Sequence, residues 1–433
     1  MHQQGPQQVN IEQVLDGHAL KGMPLQVAIT MAIVLIADGF DIILLGYVAP
    51  AVAAEFSITH GGMGAVLTAS FLGVVAGGFL GGSLGDRYGR KFLINVSLIL
   101  FGLATLVSAV TDSVVLFTLA RTLVGFGLGA ATPNAAALMA EVLPSRWRSQ
   151  IITVAHASST IGTVVAGVLA RQMLPEWGWR GLFVVGAVFP LLVCLLMMPW
   201  LPESPRFLSR QQQGQQRTAR ALNRLVGETR FRGDEEFVHS DSGEGEGRFR
   251  DLLATSFRRD TLCLGGIIFT VLFAWVAIGN WGTTVITAMG HELSAAVSVM
   301  IGYNLAGLFG AIGTALVLRR LGSRRVFTAL AVTTIAASVL LGTFLQIGEV
   351  TLFWIGVYVV IAGACLTSLL QASYPLAAYV YPTRIRATGV GSVFGFGRLG
   401  AVASSAVTAG LLALGGSPLV FGGIALAAAG ALI

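Results

Sequence analysis

The stretch AEVLPSRWRS, residues 140–149, returns 238 positions later as AYVYPTRIRA, residues 378–387, with Ala, Val, Pro and two Arg in register. Each copy follows an apolar run long enough to cross a bilayer, which takes about 20 residues. GSLGDRYGRK (82–91) and the more divergent ALVLRRLGSR (315–324) repeat the relation. The chain therefore reads as two related halves. Apolar runs lie near 25–50, 62–84, 92–110, 113–140, 150–171 and 180–200, and again near 261–287, 295–318, 326–346, 351–378, 388–413 and 417–433. The last is short and stops at Ile433 without a polar tail, as a chain cut before its natural end would.

Composition agrees. Charged residues make up 11% of the 433 and hydrophobic ones 55%, with a mean hydropathy of +0.77, whereas soluble domains carry roughly 25% charged residues. The expectation is an all-α membrane protein of 12 transmembrane helices in two pseudo-symmetric six-helix halves. Its parts are a polar tail (1–23), a first bundle (24–200), a linker (201–260) and a second bundle (261–433). Repeated halves with a site between them near the midplane are the architecture of alternating-access transporters. The linker mixes Arg with Asp and Glu. RQQQGQQRTARALNRLVG reads as a helix at the membrane surface and 233–248 as flexible.

The net charge of +6 does not point to nucleic acid, because the cations cluster in alternate loops. Arg87, Arg90 and Lys91, then Arg146 and Arg148, then Arg319, Arg320, Arg324 and Arg325, and finally Arg384 and Arg386 share one side with the linker. The loops at 55–62, 111–113, 288–294, 347–350 and 414–417 have no Lys or Arg, and the remaining loop on that side holds Arg171 and Arg180. Both termini are thus expected in the cytoplasm. The first 23 residues lack the pattern of a signal peptide. Cys194, Cys263 and Cys365 lie in apolar spans without ligand spacing and read as packing residues, so no metal site is expected. Walker A, zinc-spacing and GxSxG patterns are absent, and with them any enzymatic constellation. Many of the 55 glycines sit inside spans, as in GVVAGGFLGGSLG, where they suit close helix packing.

GSLGDRYGRK fits the pattern G-x-L-x-D-R-x-G-R-K of the major facilitator superfamily, and the resemblance extends over essentially the whole chain. It implies a cytoplasmic gate around Asp86, Arg87 and Arg90, with Glu141 and Arg146 at the same face. RTLVGFG (121–127) resembles the R-x-x-x-G-x-G pattern of proton-coupled members, whereas the fifth span lacks the G-P-x-x-G-G of drug:proton antiporters. The DGFD of IADGFDIILLG (36–46) resembles the aromatic acid:proton symporter family, as do LPESPRFL and RATGVGSVFGFGRLGAV. That family includes carriers of 4-hydroxybenzoate, benzoate and hydroxyphenylpropionate. The glutamine-rich seventh helix of sugar porters is not visible. The resemblance implies a bacterial inner-membrane importer, acting as a monomer, with the proton as coupling ion and no other cofactor.

Four charges fall at membrane depth: Asp38, Asp41, Arg121 and Arg398. A charge near the bilayer centre costs at least about 2.5–3.5 kcal/mol, so such residues face the interior and usually serve a pathway. Asp38 and Asp41, three apart on one helical face, lie about 5–6 Å from each other. They resist simultaneous ionisation, so one of them can carry a proton, or either can form a static pair with an arginine. An aromatic carboxylate needs a cation and flat apolar surface. Arg398 is the first choice for its charge and Arg121 the second, because guanidinium grips carboxylates bidentately. Ring contacts are sought among Phe40, Trp281, Tyr303, Phe394 and Phe396, with Asn280, Asn304, Gln371 and Tyr374 as polar partners. His156, in the fifth span, is a further titratable candidate. Symport of another organic acid or a sugar, antiport, and a receptor that binds without transporting remain open.

Overall fold

The computed structural model describes residues 8–197, 199–211, 214–238, 252, 257–348, 350–381 and 383–432. A short helix α1 (Ile11–Asp16) precedes α2 (Met23–Glu55), α3 (His60–Tyr88), α4 (Arg90–Val110), α5 (Val114–Val142), α6 (Ser145–Ala157) and α7 (Ser159–Met197). The central segment holds α8 (Pro205–Ser209) and α9 (Gln215–Val226). The second half consists of α10 (Arg258–Ala288), α11 (Leu293–Leu321), α12 (Ser323–Ile347), α13 (Leu352–Val380) and α14 (Thr383–Ala429).

Two helices are too long for one crossing. α7 has 39 residues and α14 has 47, roughly 60 and 70 Å of helix against an apolar core of about 30 Å. Each is broken by non-helical backbone, at Gly178 (φ 62°) and at Gly415 and Gly416 (φ 67° at the latter). Glycine takes positive φ at little steric cost, so each break turns one long helix into two crossings. Among the described residues this gives six crossings on either side of the linker. Arg180, just past the first break, is matched by Glu55 and Asp112, both at 2.7 Å, and by the carbonyls of Ala109 and Thr111. Its partners explain one of the two arginines on the side whose other loops carry no Lys or Arg.

Small residues set the helix spacing. Gly73, Gly77 and Gly81, four apart on α3, lie against Thr122, Phe126 and Ala130 of α5, and Gly125 and Gly129 return the contact to Ser70 and Val74. A Cβ at any of these would overlap the partner helix. α2 and α7 cross in the same way. A Cβ at Gly39 would run into the Ser159 carbonyl, and one at Gly162 into that of Ile36. Alanine is the better helix former by about 1 kcal/mol, yet Gly39→Ala is expected to destabilise the protein by roughly 1–3 kcal/mol through overpacking. The thermal midpoint of the detergent-solubilised variant reads this, and an unchanged midpoint would reject the crossing.

The described part of the tail is built into the fold. Residues Gln8–Asn10 form β1, which pairs in parallel with β2 (Glu236–Val238). α1 buries Ile11 and Leu15 in a cluster with Leu222 and Leu225 of α9, Phe231 and Phe237. The Asp16 carboxylate accepts from the Ser145 amide at 2.6 Å, pinning this cap to the start of α6. Part of the stretch read as flexible is thus a strand, and residues 239–248 lie outside the described residues.

The apolar cores reveal which end is closed. Away from the linker one continuous cluster spans both halves, joining Leu44, Tyr47 and Val48 of α2 to Trp281 and Val285 of α10, Met300 and Tyr303 of α11 and Ala409 of α14. Toward the linker the halves have separate cores. One contains Met31, Leu138 and Val142 with the α1–α9 cap, and the other contains Leu264, Ile268, Ala377, Tyr381 and Val393. The bundle is sealed at the far end and open at the linker end.

Candidate functional site

The four intramembrane charges separate into two unlike pairs. Arg121, on α5, reaches Asp41 of α2 with both terminal nitrogens, Nη1 to Oδ1 at 3.1 Å and Nη2 to Oδ2 at 2.7 Å. Arg121 is 3% exposed and Asp41 1%. The guanidinium also lies 5.1 Å from the centre of the Phe183 ring in the second part of α7. A fork-to-fork contact of this kind satisfies both charges at once. Beside the pair is a cavity of about 30 Å³ lined by Asp41, Ser70, Phe71, Arg121 and Asn280 among others, space for a water or two. Among the described residues, Arg121 Nε and both polar atoms of the Asn280 amide have no hydrogen-bond partner.

Asp38 and Arg398 behave differently. Both are partly exposed, and among the described residues neither joins an ion pair. They are close enough for the charge of each to act on the other, and the Thr132 hydroxyl, which donates to the Leu128 carbonyl at 3.0 Å, lies near Asp38. Arg398 comes from α14 in the second half and extends across the divide to α3, where its Nη1 lies over Gly78 at a place a Cβ would occupy. The same guanidinium acts on His156 at the end of α6 and on Tyr374 of α13. Tyr374 is 45% exposed and lies within electrostatic reach of Asp38 in the other half, so it faces the open space between the halves. Its ring stacks on Phe394 at 3.8 Å with 14° between the planes. Gln371, one turn before Tyr374, is also partly exposed, and Phe396 is half exposed beside Phe269.

Several sequence candidates lie outside this chamber. Phe40 is buried against Gly186, because two positions along a helix turn it about 200° from Asp38. Trp281 and Tyr303 have no exposed surface and belong to the seal. Asn304 donates to the Tyr47 hydroxyl at 2.9 Å, and Thr283 donates to the Gly46 carbonyl, so both tie the two halves together there. In this conformation these residues present a gate rather than a surface for ligand. Gly78 and Thr132 were not singled out in the sequence. Gly78 is one of many glycines in α3, and Thr132 is an ordinary span residue.

At the linker end, Arg90 pairs with Asp86 and with Glu141, the latter at 3.3 Å, and Arg87 lies 5.3 Å from the Tyr88 ring. Arg146 donates to the His18 carbonyl at 3.4 Å. All these contacts stay within the first half, as an open end requires, and Asp86 keeps 63% of its side chain exposed. The side chains of Arg319, Arg384 and Arg386 lie outside the described residues. Among the described residues no cluster of His, Cys, Asp and Glu is arranged to hold a metal ion.

Residues 31–405 match the sequence pattern of the Major Facilitator Superfamily. The 4-hydroxybenzoate transporter PcaK of Pseudomonas putida is 29% identical over 411 residues, covering 94% of this chain and 90% of that one. The protein of the same name from Acinetobacter baylyi is 31% identical over 395 residues, covering 89% and 84%. Among solved structures, the xylose transporter XylE from E. coli, in a form described as partially occluded inward open, superposes with a TM-score of 0.72 at 16% identity, covering 94% and 96%.

Proposed function

From the premise that the chain belongs to the major facilitator superfamily, we propose that it imports aromatic carboxylates such as 4-hydroxybenzoate or benzoate together with protons, by alternating access. It is a transporter and not an enzyme. The observation that carries the reading is Arg398: a guanidinium in an open chamber that joins no ion pair among the described residues, beside stacked aromatic rings and across from the Asp38 carboxylate. A cation so placed favours an anionic ligand over a neutral sugar, and relatives covering most of the chain are named for 4-hydroxybenzoate.

The proposed roles follow from the two pairs. Arg398 takes the substrate carboxylate. Asp38, exposed to the same water, takes the proton. Asp41 and Arg121 hold the first half together behind them and join the coupling through the proximity of Asp41 to Asp38. Both termini are placed in the cytoplasm of a bacterial inner membrane, which makes the open end cytoplasmic and this conformation inward-facing. Asp86, Arg87, Arg90, Glu141 and Arg146 then belong to the inner gate, and a single copy of the chain suffices for the cycle.

Reconstitution tests the proposal. Proteoliposomes acidified outside are expected to accumulate radiolabelled 4-hydroxybenzoate, and to reach only the outside concentration when the gradient is collapsed. Binding without uptake would point to a receptor, and accumulation only under the reversed gradient would point to exchange.

A further inference from the structure

Tyr374 and Phe394 are stacked nearly face to face, whereas free aromatic pairs prefer offset or edge-on contacts with centroids 4.5–7 Å apart. The pair stands in the wet chamber rather than in a core, with Tyr374 45% exposed. Phe394 precedes Arg398 by four residues on α14, so the two share a face. Helical side chains lean toward the N-terminus, so the Arg398 stem leans over the turn that carries Phe394. A carboxylate held by that guanidinium has its own ring directed back onto Phe394. That surface is already covered by a phenol, the side chain of Tyr374, which lies within reach of the Arg398 and Asp38 charges.

Resting on the aromatic-carboxylate reading above, we propose that Tyr374 is a built-in stand-in for the substrate's ring: it occupies the ring subsite on Phe394 in the empty chamber and is displaced when substrate binds. The chemistry matches, since a tyrosine side chain is the hydroxyphenyl group of a hydroxybenzoate without the carboxylate. Freedom to move comes from Pro375, next in sequence inside α13. It has no amide hydrogen for the Gln371 carbonyl and loosens the helix at that turn. The stand-in keeps the ring surface covered between cycles and makes every binding event a competition between two similar rings.

Competition has a sign that direct contact does not. Removing a stand-in makes the site easier to fill, while removing a ligand contact weakens it. A stacked pair contributes an amount worth about 3- to 10-fold in affinity, so Tyr374→Ala and Tyr374→Leu are expected to bind radiolabelled benzoate about 3- to 10-fold more tightly than wild type. Tyr374→Phe, which keeps the stack, is expected within about twofold of wild type, and Phe394→Leu, which removes the substrate's stacking surface along with the stand-in's, about 3- to 10-fold weaker than Tyr374→Ala. Equilibrium binding to the purified full-length protein in detergent, scored only for variants with the wild-type elution profile, gives all four values. Equal or weaker binding in both Tyr374→Ala and Tyr374→Leu would overturn the stand-in. No benzoate or 4-hydroxybenzoate binding by the wild-type protein would instead overturn the aromatic-carboxylate reading, so the two failures are distinguishable.

Discussion

Asp38→Asn is expected to bring gradient-driven accumulation down to the equilibrium ratio while leaving exchange of labelled for unlabelled substrate intact. The reason is a shared cation. Arg398 is the cation that acts on Asp38, and a substrate carboxylate arriving at Arg398 would place two anions beside one guanidinium. Like charges in a partly desolvated site disfavour double ionisation, so the substrate enters most readily when Asp38 carries a proton. By linkage, bound substrate strengthens proton binding by the same factor. With one proton per monoanionic substrate the cycle is electroneutral, and the wild-type protein should accumulate substrate about tenfold per pH unit of gradient, since one unit equals about 1.4 kcal/mol. Asparagine at 38 cannot ionise. It leaves Arg398 free to take the anion at any pH, so binding should persist, lose its pH dependence and lose its tie to the gradient. The accumulation ratio should fall to about one. Wild-type accumulation by Asp38→Asn would remove the coupling role assigned here. Arg398→Gln provides the contrast, since loss of charged hydrogen bonds worth about 1.5–3 kcal/mol should weaken binding itself by roughly 10- to 150-fold, with gradient and exchange assays affected alike.

Much of this arrangement is legible in the sequence, and the parts that are not share a cause. Span number, the division into halves and the linker follow from hydropathy and from the repeated loops, because a bilayer leaves few other ways to bury such runs. The i, i+3 spacing places Asp38 and Asp41 together, but it cannot say which arginine each one meets. That depends on how α2 is rotated against α7 and how α14 meets α3, set by close contacts such as Gly39 with Ser159 and Gly78 with Arg398. A glycine in a membrane helix carries no mark of the backbone it touches. Trp281, Tyr303 and Asn304 have the right chemistry for a binding site, yet lie in the seal because the molecule is closed at that end. Alternating access gives one sequence more than one set of pore-lining residues, and composition does not say which set is exposed. The β1–β2 pair joins segments 228 residues apart through three residues each. No local periodicity that short announces itself.

Breaking the Asp41–Arg121 pair from either side is expected to destabilise the first half strongly, and removing both charges together to restore much of the loss. Burial decides this. At 1% and 3% exposure neither group reaches bulk solvent to replace its partner, and removing one member of such a pair typically costs about 3–5 kcal/mol. Asp41→Asn leaves a buried guanidinium with one neutral amide oxygen where two carboxylate oxygens stood, and Arg121→Gln leaves a buried carboxylate. The Asp41→Asn/Arg121→Gln double variant retains comparable volume and amide hydrogen bonds without an orphan charge. Thermal or denaturant unfolding in detergent should therefore show two low midpoints for the single variants and a higher one for the double variant, a coupling of the kind that double-mutant cycles isolate. Exchange assays then separate stability from mechanism. A pair that only holds helices together predicts a double variant that accumulates substrate normally once refolded. A pair that also sets the charge felt by Asp38 predicts one that exchanges substrate but accumulates less of it, because Asp41 stands among the groups acting on Asp38. Strictly additive losses in the two single variants would mean that the contact contributes no coupling energy, and Asp41 and Arg121 would then have to be assigned separate roles.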